Sequence, residues 1–202
     1  MKASRRIFGI DEVGRGPIAG PVTVCVFSAK STVDLLQFFP NRKLKDSKKL
    51  TKAMRNNIYK TIREYRKLNK DDLDWSIVSK SARYIDSFGI NHSINACIKE
   101  AIRNLKKKKL FTSDSLLYLD GGLFVKNIYC EQETIIKGDE KIPQIALASI
   151  LAKVTRDTHM SRLSLKYDNY AWEKNVGYGT KEHYMYIKKF DISKEHRKTY
   201  LK

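Results

Sequence analysis

Apolar residues arrive first in short runs and later in helical stripes. Ile7-Phe8-Gly9-Ile10 leads straight into two acids, Asp11 and Glu12. Residues 21–27 follow with Val22, Thr23, Val24 and Val26, the β-branched content of a second strand. The turn between these runs is short, which predicts an antiparallel hairpin. Residues 28–50 read as a loop with a basic end. Over 51–68, Met54, Ile58, Ile62 and Tyr65 recur at helical spacing behind Thr51, a suitable N-cap. Residues 73–78 read as a strand. Over 90–105, Ile90, Ile94, Ile98, Ala101, Ile102 and Leu105 form one apolar stripe, the mark of a core-facing helix. The lysines at 106–109 then sit at its C-terminal end, where cations suit the helix dipole. Leu116-Leu117-Tyr118-Leu119 is a short buried-strand pattern ending at Asp120, and residues 134–139 repeat that pattern, ending at Asp139. Helices are expected from 145 to about 167 and over 181–190, with a glycine-flanked loop at 175–180 between them. Strands alternating with helices after an opening hairpin predict an α/β fold, a mixed sheet with helices on its faces.

The candidate chemistry lies where these strands end. Asp11 and Glu12 stand before Gly14-Arg15-Gly16-Pro17, and Asp120 stands before Gly121-Gly122. Adjacent residues of a strand point to opposite faces, so Asp11 and Glu12 need a bulge or the strand end to serve one site. Glycines let a loop approach an anion closely, with backbone N–H groups facing its oxygens. Asp11, Glu12, Asp120 and Asp139, gathered at strand tips, repel one another unless a cation offsets them. Hard divalent ions prefer such oxygen ligands, and a pair of them activates water against a phosphodiester. The plainer alternative is a set of solvated turn acids.

Charge adds the reason for acids in this chain. Of 202 residues, 40 are Lys or Arg and 22 are Asp or Glu, a formal net charge of +18, which is the footprint of a polyanion binder. Lys48 and Lys49 are candidates for phosphate contact. No apolar run approaches membrane-span length, and the basic N-terminus has no apolar segment behind it, so neither a span nor a signal peptide is expected. Cys25, Cys97 and Cys130 are scattered and odd in number, which fits a reducing cytoplasm rather than a disulfide or zinc framework.

Several motifs together resemble ribonuclease HII, the type 2 ribonuclease H family. They are Gly9-Ile10-Asp11-Glu12-Val13-Gly14-Arg15-Gly16-Pro17, Asp46-Ser47-Lys48-Lys49-Leu50, Lys137-Gly138-Asp139, the stretch from Ala148 to Asp157, and Gly177-Tyr178-Gly179-Thr180. The resemblance implies a ribonuclease H-like mixed sheet flanked by helices, with a catalytic domain at 1–170 and a C-terminal helical appendage at 171–202. It implies hydrolysis of RNA paired to DNA, incision 5′ to a single ribonucleotide in duplex DNA, and a monomer using two Mg²⁺ or Mn²⁺ ions. By position, Asp11, Glu12, Asp120 and Asp139 match the family's catalytic, metal-binding acids. Gly14, Arg15 and Gly16 match the loop that senses the ribose 2′-OH, and Tyr178 matches the tyrosine beside the ribonucleotide junction. Lys48 is carried as a substrate contact. Arg15 separates the chain from the sister type, ribonuclease HIII. The Gly-Gly after Asp120 and Val176 before Gly177-Tyr178 depart from the common pattern without removing an acid. The competing expectation is a catalytically silent hybrid-binding module, which gains nothing from four carboxylates facing phosphate.

Overall fold

The computed structural model describes residues 5–44, 49–126 and 128–201. Lys48, with the rest of Lys45-Asp46-Ser47-Lys48, lies outside the described residues. Five strands form one sheet in the order β3-β2-β1-β4-β5. They are β1 (Arg6–Val13), β2 (Val22–Lys30), β3 (Leu73–Lys80), β4 (Leu116–Asp120) and β5 (Glu131–Ile135). β1, β2 and β3 pair antiparallel, whereas β4 and β5 join β1 in parallel. The parallel half needs crossovers: helices lie on the path from β1 to β4, whereas the connection from β4 to β5 has no helix among its described residues. The helices are α1 (Lys52–Leu68), α2 (Ala82–Phe88), α3 (Ile90–Lys107), α4 (Pro143–Ser164), α5 (Trp172–Asn175) and α6 (Lys181–Phe190).

Strand alternation divides the core in two. Phe8, Ile10, Val22, Val24, Val26, Leu117 and Leu119 face one way and pack on the apolar stripe of α3. Cys25, Phe27 and Ala29 face the other way, against α4 and, beyond it, Ile58 and Ile62 of α1. α4 is buried on nearly every side through its first half, from Ile145 to Ala152. It lies so close to β1 that a Cβ on Gly9 would sit 2.1 Å from the Gln144 carbonyl carbon. Glycine at position 9 therefore sets how near this helix can come to the sheet. Thr51 caps α1 by accepting from the Met54 amide at 3.2 Å.

Several expectations need correction. β1 does not end at the acids: its ladder with β2 runs unbroken through Val13. The region 28–50 is not all loop, because β2 extends to Lys30 and two 3-10 turns, Leu35–Phe38 and Pro40–Arg42, follow. Leu35, Phe38, Phe39 and Leu50 are buried there. β5 is an exposed edge strand that stops at Ile135, and Asp139 lies beyond it in a 3-10 turn, Gly138–Glu140. The chain reverses before that turn through Lys137, whose φ is +53°. The short α2, capped by Ser81 and ended by Gly89, was not anticipated.

Candidate active site

The acids gather where the β1–β4 ladder stops. Parallel pairing reaches Ile10 opposite Leu119 and goes no further. The next register position holds Asp11 and Asp120, so two carboxylates lie side by side on the face that α4 covers. Their mutual repulsion is a sufficient reason for the two strands to part there. Asp11 is 7% exposed, and its carboxylate bonds both the Glu12 amide at 2.7 Å and the Ser149 side chain of α4. Burial, followed by the Glu12 charge and then Asp120, pushes its pKa well above the ordinary carboxylate value despite those two bonds. Asp120 accepts from the Gly138 amide at 2.7 Å, which brings the Asp139 turn against it. Asp139 is itself buried.

Glu12 keeps the strand alternation and points to the opposite face. There it accepts from Arg15 Nη1 at 2.8 Å, and Arg15 Nη2 donates to Asn91 of α3 at 2.9 Å. The expected bulge is absent: Asp11 and Glu12 straddle the edge of the sheet instead of sharing a face. Among the described residues, no three Asp, Glu, His or Cys side chains are drawn into a ready-made metal cluster. Lys153 of α4 donates to Asp157 at 2.8 Å one helical turn away.

The glycine loop after β1 is held from beneath by two arginines that sequence reasoning passed over. Arg156 and Arg197 are both fully buried. Arg197 donates to the carbonyls of Gly14 at 2.6 Å, Arg15 at 2.9 Å and Gly20 at 3.0 Å. Arg156 donates to those of Pro21 at 2.8 Å, Val176 at 3.0 Å and Ala19 at 3.2 Å. Neither guanidinium has a carboxylate bonded to it, Arg197 adding the Tyr200 side chain to its carbonyls, and burial lowers both pKa values, that of Arg156 to about 10. A trans peptide aims its C=O and the following N–H in opposite directions. Anchoring the Gly14 and Arg15 carbonyls on Arg197 therefore turns the Arg15 and Gly16 amides away from it, on the exposed side of the loop. Gly14 has φ +91°, and a Cβ there would meet Arg156 Nε at 2.4 Å, so the position demands glycine twice over.

The segment around Tyr178 closes the loop from the far side. Ile18 and Ala19 amides donate to the Gly177 carbonyl at 2.8 and 3.1 Å, and the Arg197 amide donates to the Ile18 carbonyl at 2.7 Å. Tyr178 is 43% exposed. Its Cε1 lies 3.9 Å from where a Gly16 Cβ would stand, with nothing else so near. Gly16 and Tyr178 are thus the two walls of one narrow open space. Beside it, a cleft of about 380 Å³ runs from Arg15 along Asn91 and Asn95 to Phe124 and Lys126.

A five-stranded sheet of this order, with acids at the head of its central strands, defines the class as ribonuclease H-like. Solved structures share the fold. A chain of the PCNA:RNase HII complex from Archaeoglobus fulgidus superposes with a TM-score of 0.71 at 24% identity, covering 95% of this chain and 93% of that one. Bst-RNase HIII, solved in complex with Mn²⁺, gives 0.60 at 17% identity over 82% of this chain and 56% of its own. A curated ribonuclease HII from Pelagibacter ubique is 41% identical over 192 residues, 95% of this chain and 94% of the relative. The ribonuclease HII family model matches residues 8–200. The chain belongs to the ribonuclease HII family and is an endoribonuclease of the ribonuclease H type. No described helix is long and apolar enough to cross a membrane.

Proposed function

We propose that the protein cuts the RNA strand of RNA–DNA hybrids and incises 5′ to a single ribonucleotide embedded in duplex DNA. The observation that carries this reading is the narrow space between Gly16 and Tyr178, beside the acids of β1 and β4. Asp11, Glu12, Asp120 and Asp139 act as the catalytic acids and hold two divalent ions, Mg²⁺ or Mn²⁺. Their oxygen-only donor set suits such ions, and their open spacing suits ions that complete their shells with substrate phosphate and water. When bound, those ions supply Lewis acidity at the phosphate and lower the pKa of a water.

The chain's own residues do the selecting. The Arg15 and Gly16 amides, turned outward by Arg197, meet a ribose 2′-OH and its phosphate, and the hydroxyl is what distinguishes RNA from DNA at one position. The Tyr178 ring packs on the next sugar, where an added hydroxyl would crowd it. RNA on one side and DNA on the other specify a junction without base reading. The net charge of +18 holds the phosphate backbone, with Lys48 among the contacts. Residues 171–202 serve as a helical extension of a catalytic domain at 1–170, and the enzyme works as a cytoplasmic monomer. Its free cysteines fit that reducing compartment.

The test is a labelled duplex with one ribonucleotide, run beside an all-DNA duplex and a continuous hybrid, with and without chelator. Incision 5′ to the ribonucleotide, lost in chelator and in Asp139→Asn, is expected, and Tyr178→Ala should lose incision far more than binding. Cleavage of the continuous hybrid alone would leave a hybrid nuclease without junction recognition. Binding without cleavage in any metal would leave a silent hybrid-binding module.

A further inference from the structure

Two buried histidines stand outside the hydrolytic chemistry. His183, in the first turn of α6, and His196, in the C-terminal segment, are 0% and 2% exposed, and their Nε2 atoms are 3.1 Å apart. The rings of Tyr170 and Trp172 enclose them. The donors around this pair fix both tautomers. The Ser193 amide donates to His196 Nδ1 at 2.9 Å, so that atom carries no proton and the His196 proton is on Nε2. Trp172 Nε1, which can only donate, bonds His183 Nε2 at 3.0 Å. His183 Nε2 is therefore the shared acceptor for Trp172 and His196, and the His183 proton is on Nδ1. That Nδ1–H lies 2.9 Å from the Tyr178 carbonyl oxygen.

We propose that this relay, Trp172 and His196 onto His183 and His183 onto the Tyr178 carbonyl, positions the Tyr178 ring against the sugar beside the ribonucleotide, which makes His183 a positioning residue for junction recognition. The inference rests on the sugar-facing role of Tyr178 proposed above. The local backbone explains why such an anchor is needed. Tyr178 stands between Gly177, with φ +84°, and Gly179. Its ring is half-exposed, so its direction depends on the main chain. Asn175 holds the amide side: its carbonyl accepts from the Tyr178 amide at 2.9 Å, and its Oδ1 accepts from the Gly177 amide at 2.8 Å. His183 holds the carbonyl side, together with the Thr180 amide at 2.9 Å. Adding a proton to His183 Nε2 would set it against two other N–H groups, so the acceptor is locked in one state.

Wild-type protein carries the first test. Long-range ¹⁵N–¹H spectra should show His183 protonated on Nδ1 and His196 on Nε2. A non-cleavable single-ribonucleotide duplex should shift the His183 Nδ1–H resonance more than an all-DNA duplex does. His183 protonated on Nε2, or equal shifts with both duplexes, would overturn the inference. Kinetics on the single-ribonucleotide duplex give the second test. His183→Leu should lower kcat about tenfold or more while the Kd measured in chelator changes less than about twofold. His183→Asn, whose amide can replace the Nδ1 donor, should recover most of that loss. In a Tyr178→Ala background, His183→Leu should cost nothing further. Equal damage from Leu and Asn, or additive losses in the double variant, would mean that His183 only holds the fold. If Tyr178→Ala itself leaves junction incision intact, the role of Tyr178 fails first and the inference with it. The tautomer pattern then shows whether the relay exists without that purpose.

Discussion

Removing the buried charge under the glycine loop should cost stability and function together. Arg197→Met keeps an unbranched stem and deletes the guanidinium. Three carbonyls, those of Gly14, Arg15 and Gly20, then lose donors at 2.6–3.0 Å. Each buried acceptor left unpaired costs about 1–3 kcal/mol, roughly 3–9 kcal/mol before any offset. The offset is the cation itself, whose burial costs several kcal/mol that the variant recovers. The net loss is on the order of 2–4 kcal/mol, or roughly 5–15 °C in Tm for a domain of this size. Arg197→Lys should fall between, since one ammonium cannot match a planar fork across three carbonyls. Urea denaturation reads the effect as a lower midpoint at unchanged slope. Because the Arg15 and Gly16 amides lose their fixed direction, incision at a single ribonucleotide should fall more than hybrid binding. An Arg197→Met protein that melts within about 1 °C of wild type and incises normally would refute the cradle argument.

Three further outcomes follow from the geometry. Asp11→Asn should abolish turnover yet raise Tm in metal-free buffer, since the Asp11 charge is buried against Glu12 and Asp120; a lower Tm would show that the Ser149 bond outweighs that repulsion. Burial, then the neighbouring His183, lowers the His196 pKa from 6.5 to about 4, so the unfolded chain binds the proton first and stability drops as pH falls from about 6.5 towards 4. The span corresponds to about 3 kcal/mol, the enclosing groups are Tyr170, Trp172 and Ser193, and urea midpoints for wild type should fall more steeply with acid than those of His196→Gln. Gly9→Ala and Gly16→Ala should separate fold from function: the first drives a methyl into the α4 backbone at 2.1 Å and should melt far lower, whereas the second meets only Tyr178 at 3.9 Å and should keep its Tm while losing junction incision.

The legible parts of the chain were those where one residue's chemistry fixes its own surroundings. Thr51 as cap, the α3 stripe and the β1–β2 hairpin depend on neighbours close in sequence, and all three are present as read. The acids were legible by type but not by arrangement. That Asp11 and Glu12 take opposite faces follows from a ladder that continues past them, which only the β2 partner determines. Asp139 was misjudged as a strand end because Thr134-Ile135-Ile136 has strand composition, while Lys137 at φ +53° turns the chain. Arg156 fell within the motif from Ala148 to Asp157 with nothing to mark its partners, and Arg197 carried no local signal. In a chain with 40 basic residues two more arginines look like surface charge, and their carbonyl partners lie up to 183 residues away. His183 stood near the Gly177-Tyr178 motif, but its partner His196 and the donor Trp172 could not be linked to it from spacing.

What the sequence could not reveal is that one helix keys the separate parts of the site to one another. On α4, Ile145 presses on Gly138 beside the Asp139 turn, Ser149 bonds Asp11, Arg156 bonds the loop carbonyls, and Met160 packs against Gly20 and Gly177. The steps between them, four, seven and four residues, keep all four on one face of a helix. From first to last they span about 22 Å at 1.5 Å per residue. Asp11 and Tyr178 come from opposite ends of the chain, yet both are measured off this single ruler, and Gly9 lets the ruler lie directly on β1. A buried helix cannot flex along its length without opening voids in the core beside it, here that of Cys25 and Phe27 and the cluster of Met160 with Trp172. The separation of the Asp11 carboxylate from the Tyr178 segment is therefore set by α4 rather than by the loops, which is what the proposed junction recognition requires of glycine-rich, partly exposed loops.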